Sequence, residues 1–213
     1  MIERRELLGM LAGAAALGDL GTAVGQAAGK AQHGAAPGDD SVPPFVKRGF
    51  PGPFHAVLEP LVGQWHVDKE IYIAIGSPEK PAKSSGMTAK RRWFGGGRHL
   101  EDITQGTIGG PYYRLGVLGF SNIDSRYEWV TFDALNANMM LYRSDRLDQP
   151  AQSFVMTGTF TDQGLLGEDS VGKEIPMRTV VEIESHDRHT IQLFFTPPGR
   201  SGILIDKSVY SRA

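Results

Sequence analysis

Leu58-Glu59-Pro60-Leu61-Val62-Gly63-Gln64-Trp65 is the stretch from which the fold is read. It is an apolar turn that ends in a Gly-x-Trp step and runs straight into a strand pattern over residues 66–75. A glycine lets the chain bend sharply on entering the strand, and a large aromatic two residues later can plug one end of a small barrel. At the far end of the sequence, Tyr210-Ser211-Arg212 closes the last strand with an arginine. A guanidinium laid over the Trp65 indole would seal that end with a cation–π contact of roughly 0.5–2 kcal/mol. Gly63, Trp65 and Arg212 are thus read as structural closure, with first and last strands as neighbours.

Working outward, strand signals recur along the chain. Trp65, Val67, Ile71, Ile73 and Ile75 share one parity, and His66, Asp68, Glu70 and Tyr72 the other. Lys69 interrupts the apolar side, either as a bulge or as a charge pointing into a cavity. Further strands are expected over 87–94, 98–107, 113–120, 126–134, 138–144, 153–161, 177–184, 189–196 and 203–212. Turns such as Gly95-Gly96-Gly97, where positive φ is cheap, separate them. A helical turn is expected over 55–61. No later stretch keeps a 3.6-residue apolar period, so helices should be few. The reading is all-β: an up-and-down antiparallel barrel of about ten strands. Barrels of that size are either filled by side chains or hold one small ligand.

Charge is nearly balanced, with 22 basic and 24 acidic residues, so nothing argues for nucleic acid or an anionic surface as partner. The absence of cysteine removes thiolate metal sites, thiol catalysis and disulfides. Arg4-Arg5-Glu6-Leu7-Leu8, an apolar run to Leu17 and small residues around Gly25-Gln26-Ala27 follow the order of a twin-arginine export signal. The apolar run is shorter than the ~20 residues of a permanent span. The expected organisation is a signal over 1–27, a disordered linker over 28–52 and the barrel over 53–213. The expected location is periplasmic or secreted, which the N-terminal sequence of the mature protein would check: a start near residue 28 supports export, and an intact N-terminus contradicts it.

Several motifs occur in the order seen in a calycin-like bacterial family, catalogued as domain of unknown function 1579. They are Leu61-Val62-Gly63-Gln64-Trp65, Gly96-Gly97-Arg98, Leu118-Gly119-Phe120-Ser121-Asn122, Tyr127-Glu128-Trp129 with Asp133, Arg178-Thr179-Val180 and Tyr210-Ser211-Arg212. The chain resembles that family over about residues 54–212. Where the family usually has Gly-Tyr-Asp-Asn, this chain has Gly119-Phe120-Ser121-Asn122, which lacks the phenol and the carboxylate. The resemblance implies a lipocalin-like barrel and brings no established activity or catalytic residues. The haem-binding nitrobindins are related calycins that ligate iron through a histidine near the last strands, but residues 203–212 contain none, so no cofactor is expected.

Histidine spacing gives no metal site: His33 lies in the linker, and His66 falls on the polar parity. His186 and His189 flank a turn with Asp187, where solvated side chains are expected, and His99 reads as a rim residue. No Gly-x-Ser-x-Gly elbow is present, and Gly95-Gly96-Gly97 lacks the Lys-Ser/Thr and the helix of a phosphate loop. Asp133 shares strand parity with Trp129 and Tyr127, and Arg178 opens a strand rich in branched residues. Charges inside a barrel must be paired or serve a ligand. The ligand-binding candidates are therefore Tyr72, Trp93, Arg98, Trp129, Asp133, Arg178 and Phe195, with no catalytic residue assigned. They fit a small, largely apolar or amphipathic molecule as partner. Two alternatives stay open: an isomerase or hydrolase using a buried carboxylate such as Asp133, and a structural module with a solid barrel.

Overall fold

The computed structural model describes residues 41–213; the expected signal over 1–27 and most of the expected linker lie outside the described residues. Two one-turn helices, α1 (Pro44–Lys47) and α2 (Pro53–Ala56), and a 3-10 turn (Glu59–Leu61) lead into the sheet. Eleven strands follow: β1 (Gly63–Ile71), β2 (Ala82–Lys83), β3 (Ser85–Phe94), β4 (His99–Thr107), β5 (Pro111–Ser121), β6 (Arg126–Asp133), β7 (Met140–Arg143), β8 (Ser153–Thr161), β9 (Glu174–Ile183), β10 (Arg188–Phe195) and β11 (Ile203–Arg212). From β3 to β11 each strand pairs with the next, β1 pairs with β3, and β11 returns to β1. The two-residue β2 borders only the C-terminal part of β1, so the closed barrel has ten staves.

Strict alternation sorts the side chains. Trp65, Val67, Lys69 and Ile71 of β1 face inward, as do Ile175, Met177, Thr179, Val181 and Ile183 of β9. Lys69 is not at a bulge: β1 runs in unbroken register against β11 from Trp65↔Arg212 to Ile71↔Asp206. One end of the barrel is shut by aromatic packing. Phe54 of α2 stacks on Phe120 at 4.0 Å between centroids, Tyr127 stacks on Phe154 at 4.1 Å, and the Tyr127 hydroxyl donates to Phe54 O at 3.0 Å.

Closure happens at the same end. The Arg212 guanidinium lies 3.9 Å from the Trp65 ring, while its Nη1 donates to Val62 O at 2.6 Å and its Nη2 to Pro60 O at 3.0 Å. Trp65 is fully buried, with Nε1 donating to Leu61 O at 3.0 Å. Gly63 holds φ at 127°, and a Cβ there would collide with Arg212 Nη1, so the turn needs glycine for both conformation and space.

Within the linker expected over 28–52, residues 44–50 are held against the barrel. The Asn122 amide donates to Arg48 O at 2.9 Å and to Phe50 O at 2.8 Å. Two side-chain hydrogen bonds hold a segment that its own composition could not fold. Among the described residues no helix is long and apolar enough to cross a membrane.

Trp65→Ala should cost about 3–5 kcal/mol, as expected for a fully buried tryptophan. In a double-mutant cycle with Arg212→Ala the losses should fall short of additivity by roughly 0.5–2 kcal/mol. Strict additivity in denaturant melts would mean that the ring and the guanidinium are not coupled.

Candidate functional site

Away from the Trp65 end the barrel is not filled. A cavity of about 80 Å³ lies among the C-terminal part of β1, the start of β5, the end of β6 and the mouth-side ends of β10 and β11. Ile71, Ile73, Leu193, Phe195 and Ile205 form an apolar wall, and Leu135 and Leu165 contribute from the β6–β7 and β8–β9 loops. The loops are fixed locally. Buried Asp162 accepts from the amides of Gly164 and Leu165 through Oδ1 at 2.9 and 2.7 Å, and Gln163 Nε2 donates to Leu135 O at 2.7 Å.

Between this cavity and the aromatic floor runs a layer of buried polar groups. Asp102 Oδ2 accepts from Arg114 Nη2 at 2.8 Å and stands 3.4 Å from Arg91 Nε. Arg114 Nη2 also lies within 3.0 Å of the Tyr210 hydroxyl. Burial alone would raise the Asp102 pKa, but the two guanidinium charges outweigh it and hold the carboxyl below its ordinary range. The Arg91 guanidinium sits over the Tyr210 ring at 4.3 Å. Arg91 Nη1 also donates to His189 Nε2, whose ring stacks on Tyr210 at 4.3 Å and meets Trp65 edge-on at 4.4 Å. An arginine can only donate, so Nε2 accepts and the neutral imidazole carries its proton on Nδ1. That Nδ1 has no partner.

Lys69 is buried and paired with Asp206, with Ser208 Oγ at 3.4 Å. Burial, then the Arg114 charge, pull the Lys69 pKa well below its ordinary value. The nearby Asp133 and Asp102 carboxylates oppose that shift. Besides His189 Nδ1, two more donors in this layer stay unused: Arg114 Nε and Trp129 Nε1 are buried with no partner, and these two residues line the cavity. The Trp129 indole fits there because residue 116 is glycine; a Cβ would stand 2.8 Å from Nε1.

Of the sequence candidates, Trp129, Asp133 and Phe195 line the cavity. The other four do not. Arg178 is exposed on the outer face with its guanidinium 4.1 Å from the Phe194 ring, because its neighbours Met177 and Thr179 take the inward parity. Tyr72 is partly exposed and donates to Glu70 Oε2 at 2.6 Å, a bond that raises its pKa to about 12. Trp93 donates from Nε1 to Glu59 Oε2 at 2.6 Å, outside the barrel. Arg98 lies in the β3–β4 turn, bonded to Gly95 O at 2.9 Å, and borders an open depression of about 510 Å³ on the outer surface. Asp133 is not the buried carboxylate expected of an enzyme: it sits half-exposed on the rim, where Oδ1 accepts from the amides of Leu135 and Asn136 at 2.8 and 3.2 Å.

Sequence reasoning missed Arg91, Asp102, Tyr112, Arg114 and His189. Their signal was the one noticed at Lys69, a polar residue on a strand's inward parity: Arg91 follows Met87 and Ala89, and Asp102 follows Leu100. His189, expected to be solvated beside its turn, is fully buried. Arg91 holds its Nε2, and the Trp65 and Tyr210 rings pack against it. Among the described residues no group of three His, Asp or Glu side chains has the arrangement of a metal site.

The sequence model described as "Protein of unknown function (DUF1579)" matches residues 50–212. No curated protein matches the chain. Among solved structures, one titled "Structure of EF1p2_mFAP2b bound to DFHBI" is similar at 9% identity, covering 75% of this chain and 99% of that one with a TM-score of 0.37. A likeness that distant says nothing about a ligand here.

The buried imidazole makes stability depend on pH. Desolvation, with repulsion from Arg91 and then Arg212, pushes the His189 pKa to about 2, against about 6.5 in an unfolded chain. Between those values the unfolded state binds the extra proton, so stability rises with pH up to about 6.5 and is flat above it. Asp102, whose folded pKa is depressed, adds stability above about pH 4 that is lost as pH falls through the folded value. Thermal melts should therefore show Tm falling from pH 6.5 to 4.5. His189→Gln, which keeps an acceptor for Arg91 but cannot protonate, should flatten that fall; an unchanged slope would contradict the assignment.

Proposed function

The chain belongs to the family of proteins of unknown function DUF1579, which supplies no activity, and we propose from the site itself that the barrel binds a small, largely apolar molecule end-on through its open mouth. One observation carries this reading: an apolar-walled cavity meets a layer of buried polar groups, and two residues on the cavity wall, Arg114 and Trp129, have donors left over. Each unpaired buried donor costs about 1–3 kcal/mol, which a bound molecule that accepts from it would recover. The cavity is narrow. At about 80 Å³ it has roughly half the volume of the ~150 Å³ engineered cavity that admits benzene, so it suits a slender chain better than a wide ring. The twin-arginine pattern at Arg4-Arg5 supports binding outside the cytoplasm, in the periplasm or beyond.

The methyl ester of parinaric acid, a neutral and slender polyene that fluoresces only in apolar surroundings, should bind with micromolar Kd, about −8 kcal/mol, and quench tryptophan emission by energy transfer. Leu193→Trp, at the half-buried mouth, should abolish binding while the protein stays folded. A folded wild-type protein that leaves the probe dark, or a mouth variant that binds it equally well, would refute the binding reading.

A further inference from the structure

Unused donors on the cavity wall point to the ligand's chemistry. The buried guanidiniums of Arg91 and Arg114 share Asp102, and Lys69 is paired with Asp206. Asp133 adds a third carboxylate at the half-exposed rim, with one oxygen committed to loop amides. Asp102 takes Arg114 Nη2, leaving Nε free, and Trp129 Nε1 is free beside it, with the two side chains in cation–π contact at 5.4 Å. Both groups only donate, so neither can be satisfied by another donor; an acceptor must arrive. Tyr112, also buried on the cavity wall, has its pKa raised chiefly by desolvation and keeps its proton at neutral pH, adding another hydroxyl able to donate.

Resting on the binding reading above, we infer that the ligand is an organic acid: a monocarboxylate whose head group accepts from Arg114 and Trp129, with a slender aliphatic body lying against Ile71, Leu193 and Ile205. A carboxylate supplies the missing acceptors beside a guanidinium, and charge-assisted hydrogen bonds are the strong ones. A neutral hydroxyl head would accept more weakly. An ammonium head has no lone pair with which to accept.

Calorimetric titrations at pH 7 with decanoate, decanol and decylammonium test this, since the three differ only in the head group. Decanoate should bind at least about tenfold more tightly than decanol, the factor expected for one charge-assisted hydrogen bond in a dry site, and decylammonium should be the weakest. Trp129→Phe keeps the ring and removes one donor; it should lower decanoate affinity several-fold and leave decanol unchanged. Arg114→Gln should remove the preference for the acid, and if that variant does not fold, Trp129→Phe decides. Decanol binding as tightly as decanoate would overturn the acid assignment while leaving the cavity reading intact. Failure of all three to bind would overturn both. An acid preference that Trp129→Phe leaves intact would place the head group elsewhere and overturn the assignment to this pair.

Discussion

The grip of the Asp102 carboxylate on two arginines, Arg91 and Arg114, is the constraint on which the interior depends. These are the groups least suited to a barrel core, and they are tolerated because each is buried together with its partner. Asp102 thereby links β3, β4 and β5 across the inside of the sheet. Arg91 passes the connection to His189 on β10, and Arg114 passes it to Tyr210 on β11. Removing the carboxylate would leave two cations with no solvent, a loss of the 3–5 kcal/mol class for breaking a buried pair. The same grip keeps Asp102 ionised, so it is ill suited to accept or deliver a proton near neutral pH.

This polar layer divides the barrel into two ends with different work. On one side, Trp65, Phe54, Phe120 and Tyr127 pack into a dry floor, and Arg212 ties the last strand to the first. On the other, a narrow cavity remains among the strand ends. Thr131 and Thr179 stand where larger residues would close the gap, and the loops after β6 and β8 rim the opening. In the proposed binding role the floor would provide rigidity, the polar layer orientation, and the mouth room for the body of a ligand. Preorganised donors cost stability in the empty protein and return it when an acceptor binds.

Much of the fold was legible because strand parity and turn residues are local. The Gly63 and Trp65 step placed the closed end, and Arg212 could be assigned to it since closing a barrel must join first and last strands. The site was less legible. Lys69 was visible as a charge on an apolar parity, but Arg178 was picked for its branched neighbours although Met177 and Thr179 put it on the outer face. The decisive pairs were beyond reach for a different reason. Arg91 and His189 meet across 98 positions of sequence, and Arg114 and Tyr210 across 96. Such contacts follow from barrel shear and register, which depend on all the strand lengths together. An unused donor is harder still to read, because it is defined by what surrounds it.

The three tryptophans report on this account separately. Trp65 Nε1 donates to Leu61 O and Trp93 Nε1 to Glu59, while Trp129 Nε1 has no partner. The most direct measurement is a nitrogen–proton correlation spectrum of the three indole groups during titration with decanoate, with Trp129 assigned through Trp129→Phe. The Trp129 indole proton should move downfield as it gains an acceptor, saturating with the binding isotherm, while the Trp65 and Trp93 signals stay nearly still. A Trp129 signal that does not move while decanoate binds would contradict the claim that this barrel holds an acid by its unused donors.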